Sequence, residues 1–406
     1  MEGAIMTKLA LNFICKNESH VIRQMLKSAL PITDLIVAVD TGSTDNTIAL
    51  IHDFGKENSV PTFVFERPFD NFCNSRNHAL DKLKEVIHDL QWKRESTWGF
   101  YIDCDDILEF TDRFSKEDIL CDFYFICVKD GNLLDTRQFF FNLSKDFYWE
   151  GPIHEFIKSD GPVSQAYLKD LRIIYRHVGA SWKIGLEKKY LNYAEKLIQY
   201  INEGNRSFRW LYYAGECFAI AADECKPGPR KQKWLLEAQR YYERASAIEP
   251  KTLSESYMAY AALAEIKLNS GDQWNEAREL LLKAYTSDKR HAEPLLKIIK
   301  TYTKQGLWEI AYLFSSFAIS NYHEKLPLGF DITDVQPSVY QWELLFYHIL
   351  ICSSTGRMQE SKLFYLQLKS LLNTHKANFS GKELLLIRLL LWQEKLKRLF
   401  VRTVPS

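Results

Sequence analysis

The chain has 406 residues, 46% of them hydrophobic and 26% charged, with 52 basic and 52 acidic side chains. That length exceeds what one hydrophobic core usually holds, so two domains are expected, and the composition is that of a water-soluble globular protein. A formal net charge of zero lacks the basic excess of a general nucleic-acid binder, so nucleic acid is not an expected partner.

The N-terminal stretch Met1 to Lys8 is too short and polar to be a secretory leader. Lys8 to Cys15 then reads as a buried strand and Ser19 to Leu30 as a helix, with Ser19 as its cap. Leu35 to Val39 is a second buried strand, followed by a helix over Thr44 to Phe54. Thr62 to Phe65 is a strand, Asn74 to Leu90 a helix and Trp98 to Ile102 a strand. This β-α-β-α-β-α-β order implies a mostly parallel, Rossmann-like sheet with helices on both faces. Strands at Phe123 to Val128, Thr136 to Asn142 and Leu171 to His177 extend that sheet or form its antiparallel edge.

From about Gly185 the pattern is helical to the end. Glu237-Ala238 precedes Ala245 by seven residues, Glu276-Ala277 precedes Ala284 by seven, and Ala311 precedes Ala318 by seven. Small residues recurring at a period near 34 residues are the mark of tetratricopeptide (TPR) helix pairs, and Pro250 follows the first unit as that pattern favours. A weaker fourth unit centres on Gly356 to Leu368. The expected architecture is an α/β domain over residues 1–184 and an all-α helical repeat domain over residues 185–406. The small residues are assigned to packing, not chemistry.

Four segments carry the chemistry. In Val37 to Thr47 a buried strand ends in Asp40, and ligands of open α/β sheets lie outside the carboxyl ends of their strands. Asp40 is therefore expected to face a ligand, while Ser43, Thr44 and Asp45 cap the next helix. In Phe100 to Asp106 a strand runs straight into Asp103-Cys104-Asp105-Asp106. Carboxylates this close repel one another unless a cation or donors offset them. Hard oxygens at a strand end suit Mg²⁺ or Mn²⁺, with a diphosphate completing the shell. In Trp149 to Glu155 a Gly-Pro turn sets His154 beside Glu155, offering a metal or phosphate ligand and a general base. His177, ending the run from Leu171, is a second candidate ligand, and Arg76 in Asp70 to Asn77 suits a phosphate or else is a surface Arg paired with an acid.

Taken in order, Cys15-Lys16-Asn17-Glu18, Val39 to Asp45, Phe72 to Asn77, Asp103 to Asp106 and Glu150 to Glu155 resemble the inverting family-two glycosyltransferases with the GT-A fold. More narrowly, with Val335 to Trp342 and Ser354 to Arg357, they resemble its branch with C-terminal tetratricopeptide repeats. The Arg76-Asn77 and His154-Glu155 features are also similar to bacterial enzymes that glycosylate peptide cysteine. The resemblance spans residues ~8 to ~370 and implies a nucleotide-diphosphate sugar donor, a UDP-sugar foremost, lying near Asn17, Glu18, Asp40 and Arg76. It implies that Asp103 faces ribose or diphosphate, that Asp105 binds a divalent metal (Mn²⁺ or Mg²⁺), and that His154 or His177 completes that site. An inverting transfer needs one base, for which Glu155 is the first choice and Asp106 the second. The chain departs from the family where Asp40-Thr41 replaces the common paired acids, and where Asp106 replaces the usual Glu.

The acceptor is left open among a glycan, a lipid-linked saccharide and a protein or peptide, with the repeats positioning it. The alternative is a non-catalytic TPR scaffold that binds a partner through its repeats beside a degenerate transferase domain. The eight cysteines show no CxxC spacing, hence no zinc signature, and imply a reduced, cytoplasmic setting. The four glycosylation sequons, at Asn17, Asn142, Asn205 and Asn378, are read as chance. No apolar run approaches the ~20 residues of a membrane helix. Lys382, Arg388, Lys395, Lys397, Arg398 and Arg402 among leucines suggest a capping helix, or else a basic face for peripheral membrane contact.

Overall fold

The computed structural model describes residues 6–180, 182, 185–249, 251–269, 273–329, 332–374, 384, 387 and 388. Two compact units emerge: Met1–Lys251 with Gly329–Thr333, and Thr252–Leu328 with Asp334–Ser406. Pro250 and, apart from Arg388, the basic residues of the tail lie outside the described residues.

The first unit opens with β1 (Lys8–Cys15), α1 (Ile22–Ala29), β2 (Leu35–Asp40), α2 (Thr47–Glu57), β3 (Thr62–Glu66), α3 (Phe72–Asp89) and β4 (Thr97–Phe100). β2 is buried at every position, as its unbroken Leu-Ile-Val-Ala-Val run requires of a strand covered on both faces. Next come β5 (Ile107–Phe110), β6 (Phe123–Asp130), β7 (Leu133–Asn142), β8 (Phe147–Glu150), β9 (Phe156–Ser159) and β10 (Gln165–Tyr175). Eight strands form one sheet in the order β3-β2-β1-β4-β7-β6-β10-β5, while β8 and β9 pair separately. β3, β2, β1 and β4 run parallel. β7 runs antiparallel between β4 and β6, so the antiparallel strand is interior, and the outer antiparallel position belongs to β5.

One face of the sheet packs Leu9, Leu11, Phe13, Ile36 and Phe100 against Ile22, Met25 and Leu26 of α1. The other packs Ala10, Leu35 and Val37 against Leu80, Leu83 and Ile87 of α3. Burying one such aliphatic side chain is worth about 1.5–3 kcal/mol, so these layers fix where the strands end. α4 (Leu186–Asn202), α5 (Phe208–Asp223) and α6 (Pro229–Ser246) cluster in this unit with the sheet, although the pattern turns all-helical at about residue 185.

The second unit contains α7 (Leu253–Asn269), α8 (Trp274–Ser287), α9 (Glu293–Lys304), α10 (Trp308–Tyr322), α11 (Leu344–Ser354) and α12 (Met358–Thr374). Ala277 and Ala284 on α8, and Ala311 and Ala318 on α10, are fully buried, as are Ala238 and Ala245 on α6. The same seven-residue step recurs on α12 as the buried pair Ser361 and Leu368. The architecture is the expected one: an α/β domain followed by helical repeats. No helix among the described residues is long and apolar enough to cross a membrane.

Candidate active site

The turn after β2 is closed by its own acid. Asp40 Oδ1 accepts from the backbone N–H of Gly42 at 2.9 Å and of Ser43 at 2.7 Å. Its other oxygen sits 3.6 Å from the Cys15 thiol, and the residue is buried. Asn17, in a left-handed conformation (φ 57°), accepts from Thr44 N–H at 2.8 Å. Glu18 N–H donates to Thr47 Oγ1, and Glu18 Oε1 accepts from Ala180 N–H at 3.0 Å. Asp45 accepts from Thr47 N–H at 3.0 Å, the first N–H of α2, while the N-cap itself is Asn46, whose side chain makes no capping hydrogen bond. Asn17, Glu18 and Asp40 are thus gathered at adjacent strand ends, with Asp40 turned toward its own loop.

The centre of the site is Arg76, on the second turn of α3. Asn77 beside it forms an amide-like pair with the Trp149 backbone, donating to its carbonyl at 2.9 Å and accepting from its N–H at 2.8 Å. That pair locks α3 to β8 and brings the turn at 151–155 over the helix start. Arg76 Nε then donates to Glu155 Oε1 at 2.6 Å, and its Nη2 to Asp103 Oδ1 at 2.7 Å. The side chain is only 7% exposed and lies over the rings of Tyr101 and Trp149. Arg76 therefore bridges two acids rather than standing free for a phosphate.

Arg137 on β7 closes the other side. Both of its terminal nitrogens lie 3.3 Å from Asp103 Oδ2. Its Nε donates to the Tyr101 hydroxyl at 2.6 Å and its Nη1 to the Tyr175 hydroxyl at 2.7 Å. Burial alone would raise the Asp103 carboxyl, but the two guanidinium groups hold it well below the usual carboxylate range. Asp106 is in the opposite state. It is buried, and burial followed by the charge of Asp103 pushes it up to about 8, so it keeps a proton at neutral pH. Two carboxyls three residues apart are thus set to different protonation states by their surroundings.

Asp105 Oδ2 accepts from the backbone N–H of Val178 at 3.1 Å and of Gly179 at 2.8 Å. A Cβ on Gly179 would sit 3.0 Å from the Asp105 carboxyl carbon, so the close approach depends on glycine. Asp105 Oδ1 has no hydrogen bond among the described residues. The loop it anchors carries His177, whose Nε2 lies 2.7 Å from Asp130 Oδ1. His154 sits elsewhere: its ring stacks on Tyr213 with centroids 4.2 Å apart, and its buried Nε2 has no hydrogen-bond partner among the described residues. Burial, then the charges of Arg209 and Lys189, push it down to about 3, leaving the imidazole neutral.

Two further residues of the site, Arg137 and Lys189, carry no signal in the sequence. Arg137 sits in a strand where a lone Arg reads as an exposed charge. Lys189 on α4 is buried, and its ammonium lies 3.2 Å from the centre of the Trp182 ring. Burial pushes it down to about 8 against the pull of Asp105 and Asp103. Only the signal of a buried strand pairing beside Asp103 would have found Arg137, and nothing in the periodicity of α4 marks Lys189.

An open α/β sheet with carboxylates and cations at the carboxyl ends of its strands has the layout in which such sheets bind ligands. Residues 13–112 match the glycosyl transferase family 2 model, so the first unit carries a family 2 glycosyltransferase domain. No curated protein matches the chain. Among solved structures, Staphylococcus aureus TarS 1-349 in complex with UDP is similar at 11% identity, TM-score 0.29, covering 81% of this chain and 96% of that one. MamA is similar at 13% identity, TM-score 0.35, over 51% of this chain and 100% of that one. A tetratricopeptide repeat protein from Parabacteroides merdae is similar at 15% identity, TM-score 0.30, over 55% and 82%. Likeness this distant says nothing of what the chain binds.

Proposed function

We propose that the first unit transfers a sugar from a nucleotide-diphosphate donor, a UDP-sugar foremost, to a glycan, lipid-linked or peptide acceptor, with inversion and with a divalent ion. The observation that carries this reading is the Asp103–Arg76–Glu155 bridge. It unites the acidic strand end with the His154-Glu155 turn in one site, as the family resemblance requires. The donor set fits a hard divalent ion in part: Asp105 has one carboxylate oxygen without a hydrogen bond among the described residues, and His177, whose Nε2 would have to turn from Asp130, follows on the loop that Asp105 holds. Asp105 and His177 would hold Mn²⁺ or Mg²⁺, which when bound offsets charge on the departing diphosphate.

The remaining roles fall to the chain's own side chains. Lys189 supplies a buried positive charge beside Asp103 and Asp105, suited to a diphosphate. Asp106 holds its proton near neutral pH and is a poor acceptor there. Glu155 uses Oε1 for Arg76, while its Oε2 has no hydrogen bond among the described residues. Glu155 is therefore the base: it takes the acceptor proton as the acceptor atom attacks the anomeric carbon and the bond to diphosphate breaks. Arg76 keeps that carboxylate oriented.

The test is nucleotide-diphosphate release from a panel of nucleotide sugars, with and without Mn²⁺, in wild type, D105N and E155Q. Wild type should release nucleotide diphosphate only with the metal, and both variants should lose a hundredfold or more. Wild type inactive with every donor, and binding no nucleotide diphosphate, would leave a partner-binding repeat protein with a decayed domain.

A further inference from the structure

In the second unit, His348 and Cys352 stand four residues apart on α11 and so share one face of that helix. Both side chains are fully buried. Glu360, from the first turn of α12, meets them there. His348 Nε2 lies 2.9 Å from Glu360 Oε1 and 3.4 Å from Cys352 Sγ. One donor atom from each residue falls within 4.8 Å of the other two. Tetrahedral zinc, with Zn–N and Zn–O near 2.0–2.2 Å and Zn–S near 2.3 Å, sets its ligand atoms about 3.3–3.6 Å apart. The nitrogen–sulfur separation fits as it stands, and the nitrogen–oxygen one opens by about half an ångström.

The surroundings orient these donors. Ser315 Oγ lies 2.9 Å from His348 Nδ1 and 3.2 Å from the Tyr312 carbonyl. With the serine proton on that carbonyl, Nδ1–H donates to Ser315, and Nε2 turns its lone pair toward the thiol and carboxylate. Tyr312 hydroxyl donates to Glu360 Oε2 at 2.9 Å, leaving Oε1 for the shared point. Imidazole and carboxylate held from behind by hydrogen bonds are the outer support that metal ligands need. A thiolate and a carboxylate together offset a divalent charge. The nearby cation, Arg357, is committed to Glu309 at 2.7 Å and to the Tyr312 ring at 3.8 Å.

We propose that His348, Cys352 and Glu360 bind one zinc ion that pins α11 to α12, with a fourth position left for water. Sulfur and imidazole select a borderline-soft ion, unlike the oxygen-rich site of the first unit. The competing arrangement needs no ion: Ser315 donates to Nδ1, and Nε2–H donates to Glu360.

The probe is Co²⁺, titrated into the full chain after chelator treatment and read by thiolate-to-cobalt charge-transfer absorption. Wild type should take up one equivalent in tetrahedral form, Zn²⁺ should displace it, and excess Mn²⁺ should not. C352S should lose the charge-transfer band. H348Q and E360Q should weaken binding at least tenfold, and S315A roughly tenfold. Circular dichroism identifies any variant that fails to fold; the others, and the wild-type titration, still decide. Absence of tetrahedral cobalt in wild type would show the hydrogen-bonded arrangement and overturn the proposal. Unchanged affinity in folded H348Q and E360Q would place the ion elsewhere and overturn it as well.

Discussion

Replacing Arg76 by Met removes the cation that joins Asp103 to Glu155 while keeping a side chain of similar length. Glu155, with a side chain only 10% exposed, then loses its ion-pair partner. Asp103 is less affected, because its side chain is 37% exposed and Arg137 still faces it at 3.3 Å. Breaking a buried pair by removing one member costs about 3–5 kcal/mol. Losing the stack on Tyr101 and Trp149 adds about 0.5–1 kcal/mol, which Met partly restores by packing. The expected loss is about 3 kcal/mol, with most of it on the Glu155 side. Urea unfolding followed by circular dichroism, fitted to as many transitions as appear, measures it. The double variant R76M/E155Q should regain at least ~1 kcal/mol over R76M, because the stranded charge is gone. A loss below ~1 kcal/mol in R76M, or a double variant no more stable than R76M, would refute the bridge. R76K should not rescue activity, since an ammonium cannot reproduce the two-pronged geometry.

Other consequences follow from the protonation states and the tight turn. Asp106, raised to about 8 in the fold, keeps a proton that the unfolded chain releases near pH 3.9. Its contribution is therefore full below pH ~4 and lost as pH rises through about 8, by up to ~1.4 kcal/mol per unit. D106N should flatten that decline in melting temperature between pH 5 and 8.5; an unchanged slope would contradict the burial argument. His154, pushed down to about 3, is charged in the unfolded chain below pH ~6.5 but neutral in the fold, so stability falls as pH drops through that window. H154F keeps the stack on Tyr213 and should move acid unfolding to lower pH; a shift to higher pH would count against it. Gly151 adopts φ +103°, and a Cβ there would lie 2.1 Å from the Trp210 ring. G151A should destabilise the first unit by about 2 kcal/mol or more and lower transfer with it, and a neutral effect in urea unfolding would be the wrong result.

The parallel half of the sheet was legible because each strand is an uninterrupted apolar run between amphipathic helices. The predicted ranges for β1, β2, β3 and α3 differ from the observed ones by at most two residues at either end. β5 was not found, since Ile107 to Phe110 is short and half exposed. The β8–β9 hairpin was seen only as a motif, because Trp149 and Phe147 are buried by α3 and neighbouring aromatics rather than by a periodic pattern. The run Thr136 to Asn142 was legible as a strand, three residues short of β7 at its start, but its place between β4 and β6 was not, because that depends on pairing across long sequence separations. In the site, strand-end acids were visible because carboxylates after a buried run have no packing role. What they touch was not visible. Arg76 is a ligand for two acids only because Asn77 fixes α3 against β8, and Arg137 reaches Asp103 only through the interior position of β7.

In the function proposed for the first unit, Asp105 and its neighbours hold a divalent ion and a nucleotide diphosphate together. Isothermal titration of UDP into the full chain, with Mn²⁺ and with chelator, in wild type and in D105N, tests it most directly. Binding in wild type should weaken at least tenfold when Mn²⁺ is removed, and D105N should bind weakly in both conditions. UDP binding of equal strength with and without Mn²⁺, or retained in D105N with Mn²⁺ present, would contradict it.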